Sequence, residues 1–561
     1  MVQTMMMKRR FLTIPICAAV LGGFFNFTAL AAPPADVPGA GVAQAMTERS
    51  SRSFDRGAVM RDRRAAHEWL MGEAVVDGLV RPVRAPVSAD GIAAIDRSSR
   101  SSSPERAGVV RELKVDVAFA DLRASRLNAK SLARKTGALR ATSDGGFVYT
   151  AALQSPGATA VRVHFKSFRL PPATALYLFT ENGQVFGPYG GRGPHDDGEF
   201  WSHTVMGDEV WLQLRRRGPV SDADLRATGF RIAGVGHLRP RFLEGFCDYN
   251  ASCVRNAECG SDPTVADARD ATAHMQWPSG PYMYICTGGL LADTAGSEIP
   301  YFLTANHCIS KGKDARNLEN FFQLTTSCES QSSSPHPCDD IFDHMSNHPQ
   351  SLRTLGADIL STGRSADYTL FQLRESAPAG SAFLGWSSTP IAFDDGADLF
   401  RISHPGGAPQ AYSEHTVDVS AGTCQSWPRG DRIYSRDVYG ATEGGSSGSP
   451  VLNSAGQVVG QLSGACGTNV NDVCDAGSNA TVDGAFAAYY DEVSQFLDPQ
   501  GCTPQPENCG DGIDNDCDGL ADELDPDCDQ GGGYPPGAAC EFDSDCASNK
   551  CKGKPGAKTC R

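Results

Sequence analysis

The placement of the 19 cysteines constrains this 561-residue chain more than any other feature. Cys17 stands apart near the start. None lies between Ala18 and Phe246, ten lie between Cys247 and Cys474, and eight lie between Cys502 and Cys560. The chain therefore changes character near residue 245 and again near 500. A length of 561 residues also exceeds what one core can serve and predicts several units. The first 32 residues read as an export signal, with Lys8, Arg9 and Arg10 ahead of the apolar run Phe11 to Phe25 and the small-residue site Ala29-Leu30-Ala31. That run is shorter than the roughly 20 residues a spanning helix needs, and no later stretch is long and apolar enough, so no membrane span is expected. Removal of the signal leaves an even set of cysteines, which argues for disulfides in an oxidising compartment and a secreted or surface-associated protein.

Charge divides at the first of these boundaries. From Pro33 to Arg241 there are 30 Lys and Arg against 22 Asp and Glu, a net +8; from Phe242 to Arg561 there are 17 against 44, a net −27. The two parts attract one another, as an inhibitory or chaperoning pro-segment and its enzyme would. The acidic part excludes nucleic acid as a partner, since phosphate binding needs Lys and Arg.

Residues 33–142 are rich in Arg, Ser and Ala and include Arg97-Ser-Ser-Arg-Ser-Ser-Ser103; they read as partly disordered, with helix around 57–75. From 143 to 241 short alternating runs appear, such as Ala160 to Phe165, Ala175 to Phe179 and Glu209 to Leu214, which predict a small β-sandwich. The same pattern with dense Gly turns fills 242–499, where Ala487 to Leu497 before Pro499 predicts a closing helix. Residues 500–530 and 531–561 form two short Cys-rich pieces with too little apolar content for a core of their own.

A hydroxyl attacks poorly unless a base takes its proton and fixed donors meet the developing oxyanion. Gly444-Gly-Ser-Ser-Gly-Ser-Pro450 lies between two strand-like runs, and its glycines permit a tight turn. There the amides of Gly445 and Ser447 can form an oxyanion hole while Ser447 presents its hydroxyl. Tyr301-Phe-Leu-Thr-Ala-Asn-His-Cys308 ends an apolar strand with His307, beside a cysteine able to lock the turn to Cys286. Ser365-Ala-Asp-Tyr-Thr-Leu-Phe-Gln-Leu373 sets Asp367 at the head of another, where a carboxylate orients an imidazole. No catalytic cofactor is implied.

These segments resemble the lysyl endopeptidase branch of the chymotrypsin-like serine peptidases. The likeness covers roughly 245–498 and includes Cys286-Thr-Gly-Gly-Leu290, Gly385-Trp386, His404-Pro405, Thr442-Glu443-Gly-Gly-Ser-Ser-Gly-Ser-Pro450, Val459-Gly-Gln-Leu462 and Phe496-Leu-Asp-Pro499. The resemblance implies an all-β fold. Two barrels would flank the site, with His307 as general base, Asp367 as its orienter and Ser447 as nucleophile. The sandwich upstream resembles the pro-region of such precursors, which makes the chain a zymogen acting on proteins or peptides, a monomer, with its own propeptide as partner. The same analogy pairs Cys286 with Cys308 and Cys253 with Cys328, and brings Cys247 to Cys466 or Cys474.

Specificity is where the chain departs from the resemblance. The expected pocket is lined by Ala441, Thr442, Ser463 and Gly464, with Trp427 near. Thr481 stands where the family carries its lysine-binding aspartate, and Ser463 where it carries a pocket histidine. Asp483 or Asp475 is left as a displaced charge. No lysine occurs between Lys166 and Lys311, so a strictly lysine-specific enzyme could not free itself near 245, whereas Arg239-Pro-Arg241 offers a cleavage point after Arg241. A glutamate-selective peptidase of this fold would need a pocket histidine that Ser463 does not supply.

In the tail, Asp514, Asp516, Asp518, Asp522 and Asp525 occupy positions 1, 3, 5, 9 and 12 of a loop with Gly519 at position 6, the spacing that wraps Ca2+ in oxygen ligands. It resembles thrombospondin type 3 repeats. Cys540 to Cys560 adds a disulfide knot bearing Lys550, Lys552, Lys554 and Lys558; its cysteines lack the paired spacing of a zinc site. The rival function is an inactive protease fold serving adhesion through a calcium-ordered tail.

Overall fold

The computed structural model describes residues 42–74, 80–98, 104–239, 250–259, 262–326, 345–424, 427–499, 551–554 and 557–560. The export signal, Arg241, Cys247, Cys328 and the five tail aspartates lie outside the described residues. No helix among the described residues is long and apolar enough to cross a membrane.

Alternating β-branched and aromatic residues build the N-terminal domain as two facing sheets. One sheet runs in the order Val185–Tyr189, Thr174–Phe179, Glu209–Arg216, Phe147–Gln154, Gly137–Ala141 and Leu132–Arg134. The other places Ala160–Arg169 beside Gly229–Leu238, and that beside Glu105–Ala118. Val161, Val163, Phe165, Leu178, Leu212 and Leu214 meet between them. Sequence reading places the sandwich at 143–241, but the fourteen-residue strand Glu105–Ala118 and the hairpin Leu132–Ala141 belong to it. Arg111, Glu112, Lys114 and Asp116 stand on or near the exposed face of that strand, and their charge masks the alternation. The helix near 57–75 is present as Arg56–Glu73, capped by Asp55, whose Oδ1 accepts from Ala58 N–H at 2.9 Å.

Two closed six-stranded barrels follow among the described residues. In the first, Thr272–Ser279 pairs with Tyr282–Leu291, which pairs with Tyr301–Ala305, then Tyr368–Leu373, then Ala357–Gly363. That last strand continues through Gly356, at φ +80°, into Arg353–Leu355, and Glu319–Phe322 returns to the start. The second closes Asp398–Ser403, Ala411–Val417, Arg432–Tyr439, Asn479–Ala485, Val458–Gly467 and Pro450–Asn453. Closure removes the unpaired sheet edges. The helix Tyr490–Leu497 then buries Val493 and Leu497 in the main core.

The sandwich and the first barrel share a sheet. Glu105–Val109 of the long strand pairs with Tyr282–Ile285 of the barrel. Beside this seam Glu319 is fully buried between Arg162 of the sandwich, at 3.4 Å, and Arg353 of the barrel, at 3.3 Å. Thr204 gives Glu319 its amide at 2.9 Å and its hydroxyl at 2.7 Å. Each oxygen of this carboxylate thus has partners, which is what makes a buried charge tolerable.

The disulfides correct part of the expected pairing. Cys286 bonds Cys308 as anticipated. Cys253, however, bonds Cys474, and Cys466 bonds Cys424, so neither Cys328 nor Cys247 takes the partner assigned above. The loop Gly467–Asn479 folds back toward the Cys253 segment, a proximity that sequence spacing does not reveal.

Candidate active site

Pairing of Tyr301–Ala305 with Tyr368–Leu373 brings Ala305 opposite Tyr368, so the residues just beyond, His307 and Asp367, meet at one end of the hairpin. The Asp367 backbone occupies the left-handed region at φ +58°, which costs a non-glycine residue free energy. Several bonds hold it there. Asn306 N–H donates to Asp367 O at 2.9 Å, and Gln461 Nε2 donates to Ala366 O and Asp367 O at 2.9 and 3.1 Å. Tyr489 fixes Gln461 in turn by donating to its Oε1 at 2.6 Å, and stacks on Tyr368 at 4.0 Å.

This strained backbone aims the carboxylate. His307 N–H donates to Asp367 Oδ1 at 2.9 Å, and the ring Nδ1 lies 2.7 Å from Oδ2. Burial alone would raise the Asp367 pKa, but the hydrogen bonds and charge of His307 hold it below the usual carboxylate range, with the Ser463 hydroxyl adding to that pull. An ionised Asp367 accepting from Nδ1–H leaves Nε2 as the ring nitrogen able to take a proton. That Nε2 is buried and has no hydrogen-bond partner, Ser447 Oγ included. The His–Asp pair is therefore formed, whereas the Ser–His hydrogen bond is not; such contacts are often long before substrate arrives.

Ser447 sits half-buried in a tight turn in which Ser446 N–H donates to Glu443 O and Ser449 N–H to Ser446 O, each at 3.0 Å. Gly448, at φ +83°, packs so closely that a Cβ would lie 2.1 Å from Thr304 Oγ1. The amides of Gly445 and Ser447 donate to no described residue.

Thr287 clamps this turn three ways. Its N–H donates to Ser447 O at 2.8 Å, its hydroxyl donates to Gly445 O at 2.8 Å, and the hydroxyl accepts from His404 N–H at 3.1 Å. Because the preceding Cys286 is bonded to Cys308 beside His307, one dipeptide ties the histidine turn to the serine turn. Thr287→Val keeps the shape but strands the Gly445 carbonyl and the His404 amide. We expect kcat to fall about tenfold or more, the cost of such unmade bonds, with KM little changed and Thr287→Ser near wild type. Steady-state kinetics on one peptide substrate checks this.

Two other contacts were not legible in the sequence. Glu443, half-buried, takes Ala251 N–H at 2.9 Å on Oε1 and Asn250 Nδ2 on Oε2, which ties the first described peptidase residues to the serine turn. Burial raises its pKa. The carboxylate of Glu105, from the shared sheet, lies against Gly444, where an added Cβ would approach it to 2.4 Å. Glu443 stands in the motif around Ser447 and Glu105 in none; the part each plays shows only in the three-dimensional neighbourhood.

The expected pocket residues fall on two segments, Ala441 and Thr442 ahead of the serine turn and Ser463 and Gly464 on the strand Val458–Gly467. Ala441 is buried against Val254 and Ala411, Thr442 is half-buried, and Gly464 lies under the Trp427 ring. Ser463 is buried near the Asp367 carboxylate, and its Oγ makes no hydrogen bond among the described residues. Asp483 is corrected outright: it is fully buried and bidentate to Arg401 at 2.7 and 2.9 Å, so it offers no free charge. Asp475 is a loop carboxylate bonded to Asn469 and Ser478. Among the described residues, one group of possible metal ligands comes together, Cys286, His307 and Cys308, and its two sulfurs are bonded to each other.

The family described as lysyl endopeptidase, C-terminal domain, matches residues 244–477. The lysyl endopeptidase of Pseudomonas aeruginosa is 27% identical over 385 residues, covering 64% of this chain and 77% of that protein. The secreted RxLR effector protein 73 of Plasmopara viticola is 25% identical over 308 residues, covering 52% and 71%. Among solved structures, the active form of the Rv3671c protease from M. tuberculosis is 16% identical, with 41% of this chain and 83% of that one covered at a TM-score of 0.28.

Proposed function

Since the chain is a serine endopeptidase of lysyl endopeptidase likeness over residues 244–477, we propose that Ser447, His307 and Asp367 are its catalytic triad. The observation that carries this is the 2.7 Å bond from His307 Nδ1 to Asp367, which leaves a buried, unpartnered Nε2 in a domain whose serine turn keeps two amides free. Ser447 Oγ attacks the scissile carbonyl as Nε2 takes its proton. The amides of Gly445 and Ser447 receive the oxyanion. Nε2 then protonates the leaving nitrogen as the C–N bond breaks, and water attacks the acyl-enzyme by the same path in reverse.

The proposal extends to a secreted zymogen whose N-terminal part is an inhibitory propeptide. Support comes from the opposite net charges of the two parts, from the strand the sandwich adds to the first barrel, and from Glu105 resting on Gly444 beside the oxyanion turn. Self-processing after Arg241 predicts that wild type yields a mature chain starting at Phe242, while Ser447→Ala accumulates uncut. N-terminal sequencing of both tests it; a Ser447→Ala chain cut there as well, with no other protease present, contradicts it.

A further inference from the structure

The second barrel contains a polar seam that the triad does not use. Arg401 gives both terminal nitrogens to Asp483 and its Nε to His415 Nε2 at 3.0 Å. Since Nε2 accepts from Arg401, the ring proton sits on Nδ1, which donates to Asp437 Oδ1 at 2.8 Å. Thr481 Oγ1 donates to the same oxygen at 2.7 Å. Burial, with Arg401 adjoining, lowers the His415 pKa. One guanidinium therefore faces two carboxylates, and the seam carries a net charge of −1 in a place where Arg401, His415 and Asp483 are almost wholly enclosed.

Two atoms in the seam have nothing to bond. Asp437 Oδ2 accepts no hydrogen bond among the described residues, although its side chain is only 13% exposed. Ser435, two residues earlier on the same face and directly opposite Thr481, is fully buried with its Oγ unpartnered. A carboxylate oxygen open to solvent beside a buried orphan hydroxyl leaves room for a ligand that serves both, a cation carrying hydrogen-bond donors.

One strand also links the seam to the serine turn. Gly448 N–H donates to Leu462 O at 2.8 Å and Leu462 N–H to Ser449 O at 2.9 Å, which sets the strand Val458–Gly467 against the serine turn. Three residues on, past a bulge between Leu462 and Gly464 and so about 7 Å at the usual rise of a strand, Ala465 pairs with Thr481. Beyond Leu462 this strand is paired on its Asn479–Ala485 side alone among the described residues, leaving an edge for an extended peptide.

We propose that Asp437, flanked by Ser435 and Thr481, seats the cationic side chain of the residue on the acyl side of the scissile bond, making this endopeptidase selective for Arg and Lys. The proposal rests on Ser447 being the nucleophile. It supplies from the neighbouring strand the carboxylate that Thr481 lacks and Asp483 cannot offer.

The test uses the mature enzyme. An uncharged fluorophosphonate counts reactive Ser447 in wild type and Asp437→Asn, after which both are assayed on peptide amides differing only in Arg, Lys or Leu at that position. Equal titration is expected, with kcat/KM for Arg and Lys lower by about 100-fold in Asp437→Asn, the usual scale for losing one partner of an enclosed charge pair, and for Leu within a few-fold. Adding Thr481→Asp to Asp437→Asn returns a carboxylate to the same spot and is expected to recover at least tenfold of the preference, which a merely structural role would not. A wild type that titrates fully yet shows no preference for Arg and Lys over Leu overturns the proposal, and so does an Asp437→Asn enzyme that titrates fully and keeps the wild-type ratio. A wild type that does not titrate at all sinks the Ser447 assignment, and this proposal falls with it.

Discussion

Replacing Asp367 with asparagine is expected to lower kcat by roughly 10⁴-fold with little change in KM. The asparagine side chain fits the same space but presents an NH2 group to one ring nitrogen or the other, so Nδ1 is pushed to act as acceptor and Nε2 carries the proton. The base is then protonated where it must be free. His307→Ala should cost as much or more, because no other described imidazole reaches Ser447's turn through a bonded carboxylate. Loss of under tenfold in either variant would contradict the assignment. The same pair has a pH signature. The folded pKa of Asp367 is depressed, so its contribution to stability is present above the ordinary carboxylate pKa and is lost as pH falls through the lowered value. Asp367→Asn should flatten that acid limb of the unfolding curve.

Glu319→Ala is expected to be the most destabilising single change in the described structure, by about 3–5 kcal/mol. It would leave the Arg162 and Arg353 guanidiniums buried without their counter-charge, and Thr204 without an acceptor. The carbonyls that also hold these arginines, Ser202 O at 2.6 Å from Arg162 and Thr204 O at 2.7 Å from Arg353, satisfy donors but not charge. Because the network joins the sandwich to the first barrel, the unfolding transitions of both should move to lower denaturant together. A shift confined to one, or a loss under about 1 kcal/mol, would mean that the two guanidiniums find relief elsewhere.

Much of the peptidase region was legible before the fold was seen, and for one reason: its chemistry sits in contiguous turns. The Ser447 turn, the Asn306-His307-Cys308 corner and the Ala366-Asp367 strand head each carry their geometry in a few neighbouring residues. Strand pairing then needs only the ordinary antiparallel rule to bring the last two together. What stayed hidden is non-local. The strand Glu105–Ala118 is half charged because one face meets solvent, and its true partners lie more than 100 residues away. Asp483 looks like a free carboxylate until Arg401, 82 residues earlier, is seen to hold it. Asp437 carries no motif, and its importance depends on which of the nearby acids has a cation and which has not. Disulfide partners failed in the same way, since Cys253 and Cys474 are 221 residues apart and meet only because the second barrel closes.

The central claim is that one imidazole, oriented by Asp367, activates Ser447. The most direct measurement is mass spectrometry of the protein after reaction with a fluorophosphonate. The account predicts a single adduct on Ser447 in wild type, slowed by orders of magnitude in His307→Ala and absent in Ser447→Ala. An adduct on a different serine, or a Ser447 adduct that forms as fast without His307, would contradict it.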